Sequence, residues 1–432
     1  MRTFNNISCD ISRRAFLGTV PALALSCAAS RGPANPVPEN KRKRVAAIMT
    51  VYRPGSHADV TVGRLLNGYE YYGQWRTPSV RVVSMYTDQV PDSDMSRDQA
   101  KKHQIPIRPT IREALIENGK LAVEGVVFIG EHGDYPYNER GQHLFPRYEL
   151  FSEIVDAFKE TGQVVPVFCD KHLSYEWKKA KQMYDWSREL GFPMMAGSSL
   201  PLCWREPALE IEHGTSVDRA VACCYSGKDI YGIHLLEALQ SMVERRKGGE
   251  SGIASVQCLE SDYAWKWTDD HPWAGRLLDA ALARCPSNPG SLRENVKEPI
   301  LFVLEYRDGL QAAAYLLSGH ISTTGFAADL TGVREPVSTN IIYQKSWPHS
   351  HFSGLAYQIE RMMITGRPSY PVERTLLTTG TLAAAFDSSW ESGRYMALGR
   401  RLDTPHLDIA YQGPKESQFN RGPMSADETR PL

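Results

Sequence analysis

Val-Ala-Ala-Ile-Met-Thr-Val at residues 45–51 is a short apolar run without the polar spacing of a surface helix, which is typical of a strand buried on both faces. An Arg-Pro-Gly-Ser turn follows at residues 53–56, and the stretch from His57 to Asn67 carries apolar residues on one side of a predicted helix. Strand, turn and helix in this order predict the first unit of a parallel sheet that is covered by helices.

The same alternation of strands and helices continues through residue 196. Further strands are predicted at 79–86, 123–129, 163–168 and 192–196, and helices at 111–118, 148–161 and 175–190. Parallel strands are joined by right-handed crossovers, and ligands bind beyond their carboxyl ends. We therefore predict an α/β fold class, with a Rossmann-like, doubly wound parallel sheet that forms a nucleotide-binding domain over residues 45–200.

The pattern changes after residue 200. Strand-like runs lie at 220–224, 253–259, 300–306, 311–317 and 322–328, a helix is predicted at 232–244, and two more are predicted at 352–365 and 372–389. Short turns such as the one at 307–309 indicate antiparallel pairing. We predict an α+β domain with a mostly antiparallel sheet over residues 201–370, for substrate binding and oligomerisation. Residues 371–412 are expected to return to the first domain, and 413–432 to form a disordered polar tail.

The N-terminus has the features of an export signal. Ser-Arg-Arg-Ala-Phe-Leu-Gly at residues 12–18 resembles the twin-arginine motif, and the apolar stretch at 16–29 is too short to span a membrane. We predict a twin-arginine signal peptide at 1–30 and an exposed linker at 31–44. The protein would then be exported by the twin-arginine machinery, to the periplasm or the cell exterior. Lipidation at Cys27 and an ordinary amphipathic helix are the alternatives.

Composition narrows the classes of function. The chain has 432 residues, and its 49 Lys and Arg against 50 Asp and Glu give a formal net charge of −1, so nothing electrostatic predicts nucleic-acid binding. Its 42% hydrophobic and 23% charged residues are typical of globular domains rather than disordered chains. No apolar run reaches the roughly 18 residues of an integral membrane span. Six cysteines lie outside the leader without a C-x-x-C pair, which disfavours zinc ribbons and iron–sulfur clusters.

Three stretches resemble motifs of the glucose–fructose oxidoreductase / inositol dehydrogenase / rhizopine catabolism (Gfo/Idh/MocA) family. Cys-Asp-Lys-His-Leu at 169–173 is similar to its Glu-Lys-Pro-Leu turn, and Tyr-Gly-Ile-His-Leu-Leu at 231–236 to its Gly-x-His segment. Pro-Val-Glu-Arg-Thr at 371–375 resembles its C-terminal return to the first domain. The resemblance covers about residues 43–400. It implies a sugar or polyol substrate, a nicotinamide cofactor and a homo-oligomer that pairs through the open face of the second sheet.

The resemblance also implies catalytic roles. Lys171 matches the family lysine that touches nicotinamide and the substrate hydroxyl, and His234 matches the histidine that exchanges the hydroxyl proton as hydride leaves. These residue types suit the chemistry, because a histidine has a pKa near neutrality and a cationic lysine stabilises an alkoxide. Asp170 is a third catalytic candidate where the family has glutamate, and His172 stands where it has proline.

The cofactor would be NAD or NADP, but the first turn departs from the family pattern. A G-x-G-x-x-G loop allows a tight turn and close approach of the backbone to pyrophosphate, whereas residues 49–57 contain one glycine, Gly55. We expect Arg53 and Ser56 to help hold a phosphate at the N-terminus of this helix. Asp88, after the second strand, is the candidate for binding a ribose.

A second cluster follows the strand at 123–129. The loop at 130–138 lies at the sheet edge, where the family places nicotinamide, so Glu131 is a further candidate for binding the cofactor. His132, Asp134 and His172 are candidates for binding sugar hydroxyls or a divalent metal. His349 and His351 are a further ligand-like pair, for which we predict a structural or helix-capping role.

Three functions stay open at this point. The first is an exported sugar or polyol oxidoreductase with a tightly bound nicotinamide cofactor. The second is an enzyme that has lost the dinucleotide and uses the loop at 130–138 with Lys171 for lyase, epimerase or hydrolase chemistry, with or without a metal. The third is a non-catalytic carbohydrate-binding relic, in which tryptophan rings would stack on sugars.

Overall fold

The structure is a computed structural model that describes residues 38–344, 348–391 and 397–424. The predicted signal peptide and the start of the linker lie outside the described residues. Within the described part of the chain, no helix is long and apolar enough to cross a membrane. The end of the linker contains a 3-10 turn at Glu39–Lys41, and the first strand begins inside the predicted linker, at Lys43.

The first lobe (residues 38–200) is built on a parallel sheet. In chain order it contains β1 (Lys43–Met49), α1 (His57–Asn67), β2 (Tyr69–Tyr71), β3 (Gln74–Arg76), β4 (Val80–Thr87), α2 (Ser96–His103), α3 (Ile111–Leu115), β5 (Ile116–Glu117), β6 (Lys120–Leu121), β7 (Gly125–Ile129), α4 (Arg147–Thr161), β8 (Val167–Asp170), α5 (Trp177–Leu190) and β9 (Met194–Gly197).

The sheet of the first lobe has the order β4-β1-β7-β8-β9, and every pair in it is parallel. The predicted Rossmann-like sheet is therefore confirmed. Its strand order reverses between β1 and β7, and ligands of such sheets bind at this reversal. Two short hairpins, β2–β3 and β5–β6, lie beside the sheet, and their few residues gave no clear period in the sequence.

The second lobe (residues 201–344) is built on an eight-stranded sheet. Its elements are β10 (Trp204–Glu206), β11 (Val217–Cys224), α6 (Lys228–Val243), β12 (Ile253–Glu260), α7 (Asp262–Asp270), α8 (Pro272–Leu282), α9 (Leu292–Asn295), β13 (Ile300–Tyr306), β14 (Gln311–Leu316), β15 (Thr324–Leu330) and β16 (Val337–Ile342). The C-terminal segment adds α10 (Phe352–Thr365), α11 (Glu373–Glu391) and β17 (Leu402–Asp403).

The second sheet has the order β10-β16-β15-β11-β14-β13-β12-β17, and only the pair β11–β14 is parallel. The predicted, mostly antiparallel α+β domain is therefore confirmed. Side chains of β11 alternate between the two faces, as a strand requires. Ala220 and Ala222 pack with α6 on the inner face, whereas Val221 and Cys223 pack with α8 on the outer face.

The outer face of the second sheet is covered by the chain itself. The helices α7 and α8, which the sequence analysis missed, pack on it through side chains such as Ala264, Leu277 and Ala281. The homo-oligomer that the resemblance implies stays a prediction, and pairing through this face would have to involve α7 and α8. All six cysteines in the described residues are buried and free.

The C-terminal segment joins both lobes. Helix α10 packs on α1 and the first sheet, and α11 lies against α5 and α6. Residues 413–424, predicted to be disordered, are instead packed: Phe419 is buried and the Trp204 indole donates a hydrogen bond to the Gly422 carbonyl (2.9 Å). The few apolar side chains of this segment pack against the rest of the protein, which its mainly polar composition did not predict.

The contact between α6 and α11 contains a carboxyl group that is costly to ionise. Glu237 is fully buried and accepts a hydrogen bond from the Thr378 hydroxyl (2.8 Å). Burial raises the pKa of Glu237 to about 6, although the Arg374 cation acts in the opposite direction. A glutamate in the unfolded chain has a pKa of about 4.3. The free energy of unfolding therefore falls as the pH rises from about 4.5 to 6, and it stays lower at higher pH.

Replacing Glu237 with glutamine is therefore expected to stabilise the protein. The amide keeps an acceptor for Thr378 without a buried charge, so the free energy of unfolding at pH 7.5 should rise by on the order of 2 kcal/mol. Urea unfolding at pH 7.5 and 4.5 measures the effect, which should shrink strongly at the lower pH. An equal difference between variant and wild type at both pH values would contradict the assignment.

Candidate active site

A cavity of about 420 Å³ lies between the carboxyl edge of the first sheet and the beginning of α6. It is lined by most of the residues that the sequence singled out, namely Arg53, Gly55, Glu131, His132, Lys171, His172 and His234. The Lys171 ammonium also reaches the carbonyl of Ile230 (3.5 Å), one helical turn before His234. Segments far apart in the chain thus meet at the strand-order reversal, as the fold requires.

Lys171 stands at a special point of the backbone. Strand β8 ends at Asp170, and Lys171 takes a left-handed conformation with φ of 57°, which is uncommon for a residue with a side chain. Its amide hydrogen-bonds to the carbonyl of Gly197 (3.2 Å) and fixes the turn to the next strand. Such strained positions concentrate at functional sites, where the surrounding structure holds them.

Glu131 is the charge partner of Lys171. The Lys171 ammonium lies 2.7 Å from the Glu131 carboxylate, which also pairs with the buried Arg147 guanidinium. Burial alone would raise the pKa of Glu131, but Lys171 and Arg147 together hold it well below its usual range. The role of Glu131 in binding the cofactor stays a prediction, and in this structure its oxygens pair with two buried cations. Sequence reasoning missed Arg147, a helix residue without a motif around it.

His234 is suited to take a proton. Its Nδ1 is hydrogen-bonded to the Ser198 hydroxyl (2.5 Å), and its ring lies beside that of Tyr231. Burial, followed by the nearby Lys171 cation, lowers the pKa of His234 well below its ordinary value. The ring is therefore neutral at pH 7, which is the form that a general base requires.

Asp170, predicted as a catalytic residue, does not line the cavity. It is 1% exposed, and its carboxylate instead binds Nδ1 of His57 at 2.6 Å. His57, the first residue of α1, does line the cavity, with its ring 6.3 Å from that of His234 between centroids. Asp170 is thus a positioning residue. The sequence signal for His57 was its place at the first turn of the sheet, but its partner lies 113 positions away.

Histidines dominate the cavity. Seven of the twelve in the chain line it: His57, His132, His143, His172, His234, His349 and His351. Burial lowers the pKa of His132 to about 3, and burial with the Arg147 cation lowers that of His172 well below its usual value. Neutral imidazoles each offer one donor and one acceptor, which suits a ligand with several hydroxyl groups.

The described residues do not form a ready binding site for a metal ion. No group of three or more His, Cys, Asp or Glu side chains in the described ranges is spaced to hold a metal ion. Asp134, a predicted ligand, is exposed and outside the cavity lining. Its backbone exchanges two hydrogen bonds with the Gln89 side chain (2.7 and 2.9 Å), which fastens the loop after β7 to the end of β4.

Two of the three residues predicted to hold a pyrophosphate, Ser56 and Gly55, are engaged within the protein, whereas the third, Arg53, lines the cavity. The Ser56 hydroxyl caps α1 and accepts from the amides of Asp59 (3.3 Å) and Arg53 (3.2 Å). The Gly55 amide donates to the Asp59 carboxylate (2.9 Å), and the His57 amide donates to Nδ1 of His132 (3.3 Å). Donors at this helix N-terminus that would bind a phosphate therefore already have partners.

The residue predicted to bind a ribose has partners within the protein as well. Asp88 is exposed, but it accepts hydrogen bonds from the hydroxyls of Tyr86 (2.9 Å) and Tyr135 (2.6 Å), and it does not line the cavity. Since β1 lies between β4 and β7, the loop that carries Tyr135 crosses the carboxyl end of β1. Ser56 and Asp88 thus act within the protein, and the residues present do not fit a dinucleotide in this groove.

No protein-family model matches the chain, and no curated protein sequence matches it significantly. Solved structures do match. GenD2 from gentamicin A biosynthesis in complex with NAD has a TM-score of 0.53 at 14% identity, over 86% of this chain and 98% of that one.

Two further solved structures match this chain with similar TM-scores and identities. A probable dehydrogenase from Thermotoga maritima has a TM-score of 0.51 at 11% identity, and myo-inositol 2-dehydrogenase from Lactobacillus plantarum 0.50 at 10%, each over 84% of this chain and 99% of its own. Identities this low establish the fold but not the chemistry. The chain therefore has the two-domain fold of the Gfo/Idh/MocA dehydrogenases.

Proposed function

We propose that the protein is an enzyme that acts on a sugar or polyol by proton transfer, without a dinucleotide in the groove of the first sheet. One observation carries this proposal: Lys171 and the neutral His234 share a cavity, while Gly55, Ser56 and Asp88, which were expected to bind pyrophosphate and ribose, are hydrogen-bonded within the protein. Of the open alternatives, this is the enzyme on the same scaffold that has lost the dinucleotide.

The cavity supports a substrate of this class. Its volume of about 420 Å³ is in the range of small-ligand sites, and the histidines that line it leave ring nitrogens that can hydrogen-bond to hydroxyl groups. Because Nδ1 of His132 accepts a backbone N–H, its neutral ring carries the proton on Nε2 and can donate it to a substrate oxygen. None of the tryptophans in the described ranges lines the cavity, so ring stacking by a binding relic has no support there.

The chemistry follows from the three groups. His234 takes a proton from the substrate, and the Lys171 ammonium stabilises the oxygen on which negative charge develops. Glu131 holds that ammonium in place through the ion pair at 2.7 Å. Each of these groups returns to its starting form once the proton is passed to water or to a second group of the enzyme.

A second candidate function is an NAD- or NADP-dependent sugar or polyol oxidoreductase. The specific observation in its favour is the fold, since GenD2 was solved in complex with NAD and matches over 86% of this chain. In that case Lys171 and His234 would act on the substrate hydroxyl, as the resemblance implies. The loop at 130–138 would have to release Asp88 and Gln89 to open the groove.

Nicotinamide binding separates the two candidates. Mass spectrometry of the denatured purified protein is expected to find no bound dinucleotide, and added NADH is expected to give no saturable fluorescence signal at millimolar concentration. A bound nicotinamide, or saturable binding that Arg53→Ala weakens and Lys101→Met does not, would favour the oxidoreductase. Lys101 is a suitable control because it is exposed on α2, away from the cavity.

We also propose that the chain is exported by the twin-arginine route, on the strength of the motif at residues 12–18. Changing both Arg13 and Arg14 to lysine should leave the protein in the cytoplasm of a bacterial host, while the control Arg2→Lys is exported. Cell fractionation with immunoblotting measures the distribution. Export of the double variant at the normal level would contradict the proposal.

A further inference from the structure

The pairing of His57 with Asp170 gives the cavity a second acid–base group. The His57 ring is fixed by the carboxylate at 2.6 Å and by edge contacts with the rings of His132 (5.1 Å) and Phe352 (5.2 Å). Its Nδ1 faces Asp170, so Nε2 is the nitrogen that remains for a ligand. No hydrogen bond to this Nε2 is present within the described part of the chain.

The two histidines differ in their hydrogen-bond partners. The buried Asp170 carboxylate holds Nδ1 of His57 at 2.6 Å, as in the carboxylate–histidine pair of a catalytic triad, which orients the ring and leaves Nε2 for proton transfer. His234 has a neutral hydroxyl partner, Ser198, and a cation nearby, Lys171. In the tautomer in which its Nδ1–H donates to Ser198, its Nε2 is a bare base.

The distance between the rings selects the type of reaction. A carbon held between two imidazole nitrogens, about 3 Å from each, needs ring centres about 8 Å apart. The centroids of His57 and His234 are 6.3 Å apart. The pair therefore cannot sandwich one carbon, as removal and return of a proton on opposite faces would require. It can serve two neighbouring atoms from the same side of a substrate.

We propose that His57 and His234 together catalyse the elimination of water from a sugar acid or keto sugar, with His234 as the base and His57 as the acid. This inference rests on the proposed function and makes it specific. It adds His57 as a catalytic residue and Asp170 as its positioning residue. The substrate class follows from the chemistry, because the carbon that loses its proton must lie beside a carboxylate or carbonyl.

The step balances without an oxidant or a reductant. His234 takes the proton from the carbon beside the carbonyl group, and the Lys171 ammonium stabilises the resulting enolate oxygen. The electron pair then forms a carbon–carbon double bond as the C–O bond on the next carbon breaks. His57 gives its proton to the departing oxygen, which leaves as water. His57 ends neutral and His234 cationic, and exchange with solvent restores both.

The test uses aldonic acids, uronic acids and keto sugars as substrates for the full-length protein in D₂O. Loss of water is followed by mass spectrometry, and exchange of the α-proton by NMR. For a member that the wild type converts, His57→Gln should lower elimination by about 10²–10⁴-fold while α-proton exchange continues. His234→Gln should lower both by about 10²–10⁴-fold, and His213→Gln, at an exposed histidine away from the cavity, should change neither.

The role of Asp170 has its own readout. Asp170→Asn should reduce elimination while exchange of the α-proton continues, because the amide no longer fixes the orientation of the His57 ring. An equal loss of elimination and of α-proton exchange would show that Asp170 has only a structural role.

The other outcomes are decisive as well. If His57→Gln eliminates water at the wild-type rate while His234→Gln is inactive, the inference fails and the proposed function stands. If both variants keep full activity, the proposed function fails too. α-Proton exchange without loss of water from any member of the panel, or no reaction with any member, would overturn the assignment of elimination.

Discussion

Replacing Glu131 with glutamine is expected to lower the free energy of unfolding by about 3–5 kcal/mol. The change removes the shared counter-charge of Lys171 and Arg147, and both cations are buried, so two charges would stay in the interior with an amide between them. Because the pKa of Glu131 is held well below its usual range, its carboxylate is charged throughout pH 5–8. The loss should therefore be nearly constant over that interval, and would fade only in stronger acid, where the wild type loses the same charge.

Urea unfolding measures this loss, and two further variants make it specific. Glu160→Gln breaks an exposed ion pair with Arg112 (2.5 Å) and should change stability little. Adding Lys171→Met to Glu131→Gln should recover part of the loss, because one of the stranded cations disappears. If the Glu131→Gln protein has the same free energy of unfolding as the wild type, the folded state does not depend on this charge.

Replacing His234 with glutamine is expected to lower kcat by about 10²–10⁴-fold with little change in the unfolding midpoint. Glutamine can still hydrogen-bond to the Ser198 hydroxyl, so the packing of α6 is preserved while the proton acceptor is lost. Since the pKa of His234 lies well below its usual value, protonation of this residue should not reduce wild-type activity between pH 8 and pH 6. Turnover of a sugar-acid panel across this pH range checks both statements.

The matched control is His213→Gln, which should keep full activity. If wild-type activity falls as the pH is lowered and follows the titration of a group with a pKa near about 6.5, another histidine is the base. A His234→Gln protein with normal kcat would remove this residue from the mechanism.

Much of the fold was predictable because it depends on local patterns. Helix α1 was predicted with the bounds His57–Asn67 and α10 with Phe352–Thr365, since their apolar residues repeat with helical spacing. The meeting of Lys171 with the loop after β7 was predictable as well, because the carboxyl ends of parallel strands share one edge.

The sequence does not show which side chains pair with each other once several of them lie at the carboxyl edge of the first sheet. Glu131 and Asp88 were assigned to a cofactor from their chain position alone. In the structure, Glu131 forms an ion pair with Arg147, and Asp88 accepts a hydrogen bond from Tyr135. Such pairs depend on side-chain directions that no local period encodes. Helices α7 and α8 were not predicted, and their side chains, among them Trp265, pack on the second sheet.

The layer formed by α7 and α8 also limits how quaternary structure can be inferred for this chain. A second copy that approached this side would meet the solvent-facing flanks of two helices rather than a flat array of strands. A homo-oligomer stays a prediction. Any contact made through this side would involve α7 and α8, so the geometry of such an assembly has to be measured on the protein itself.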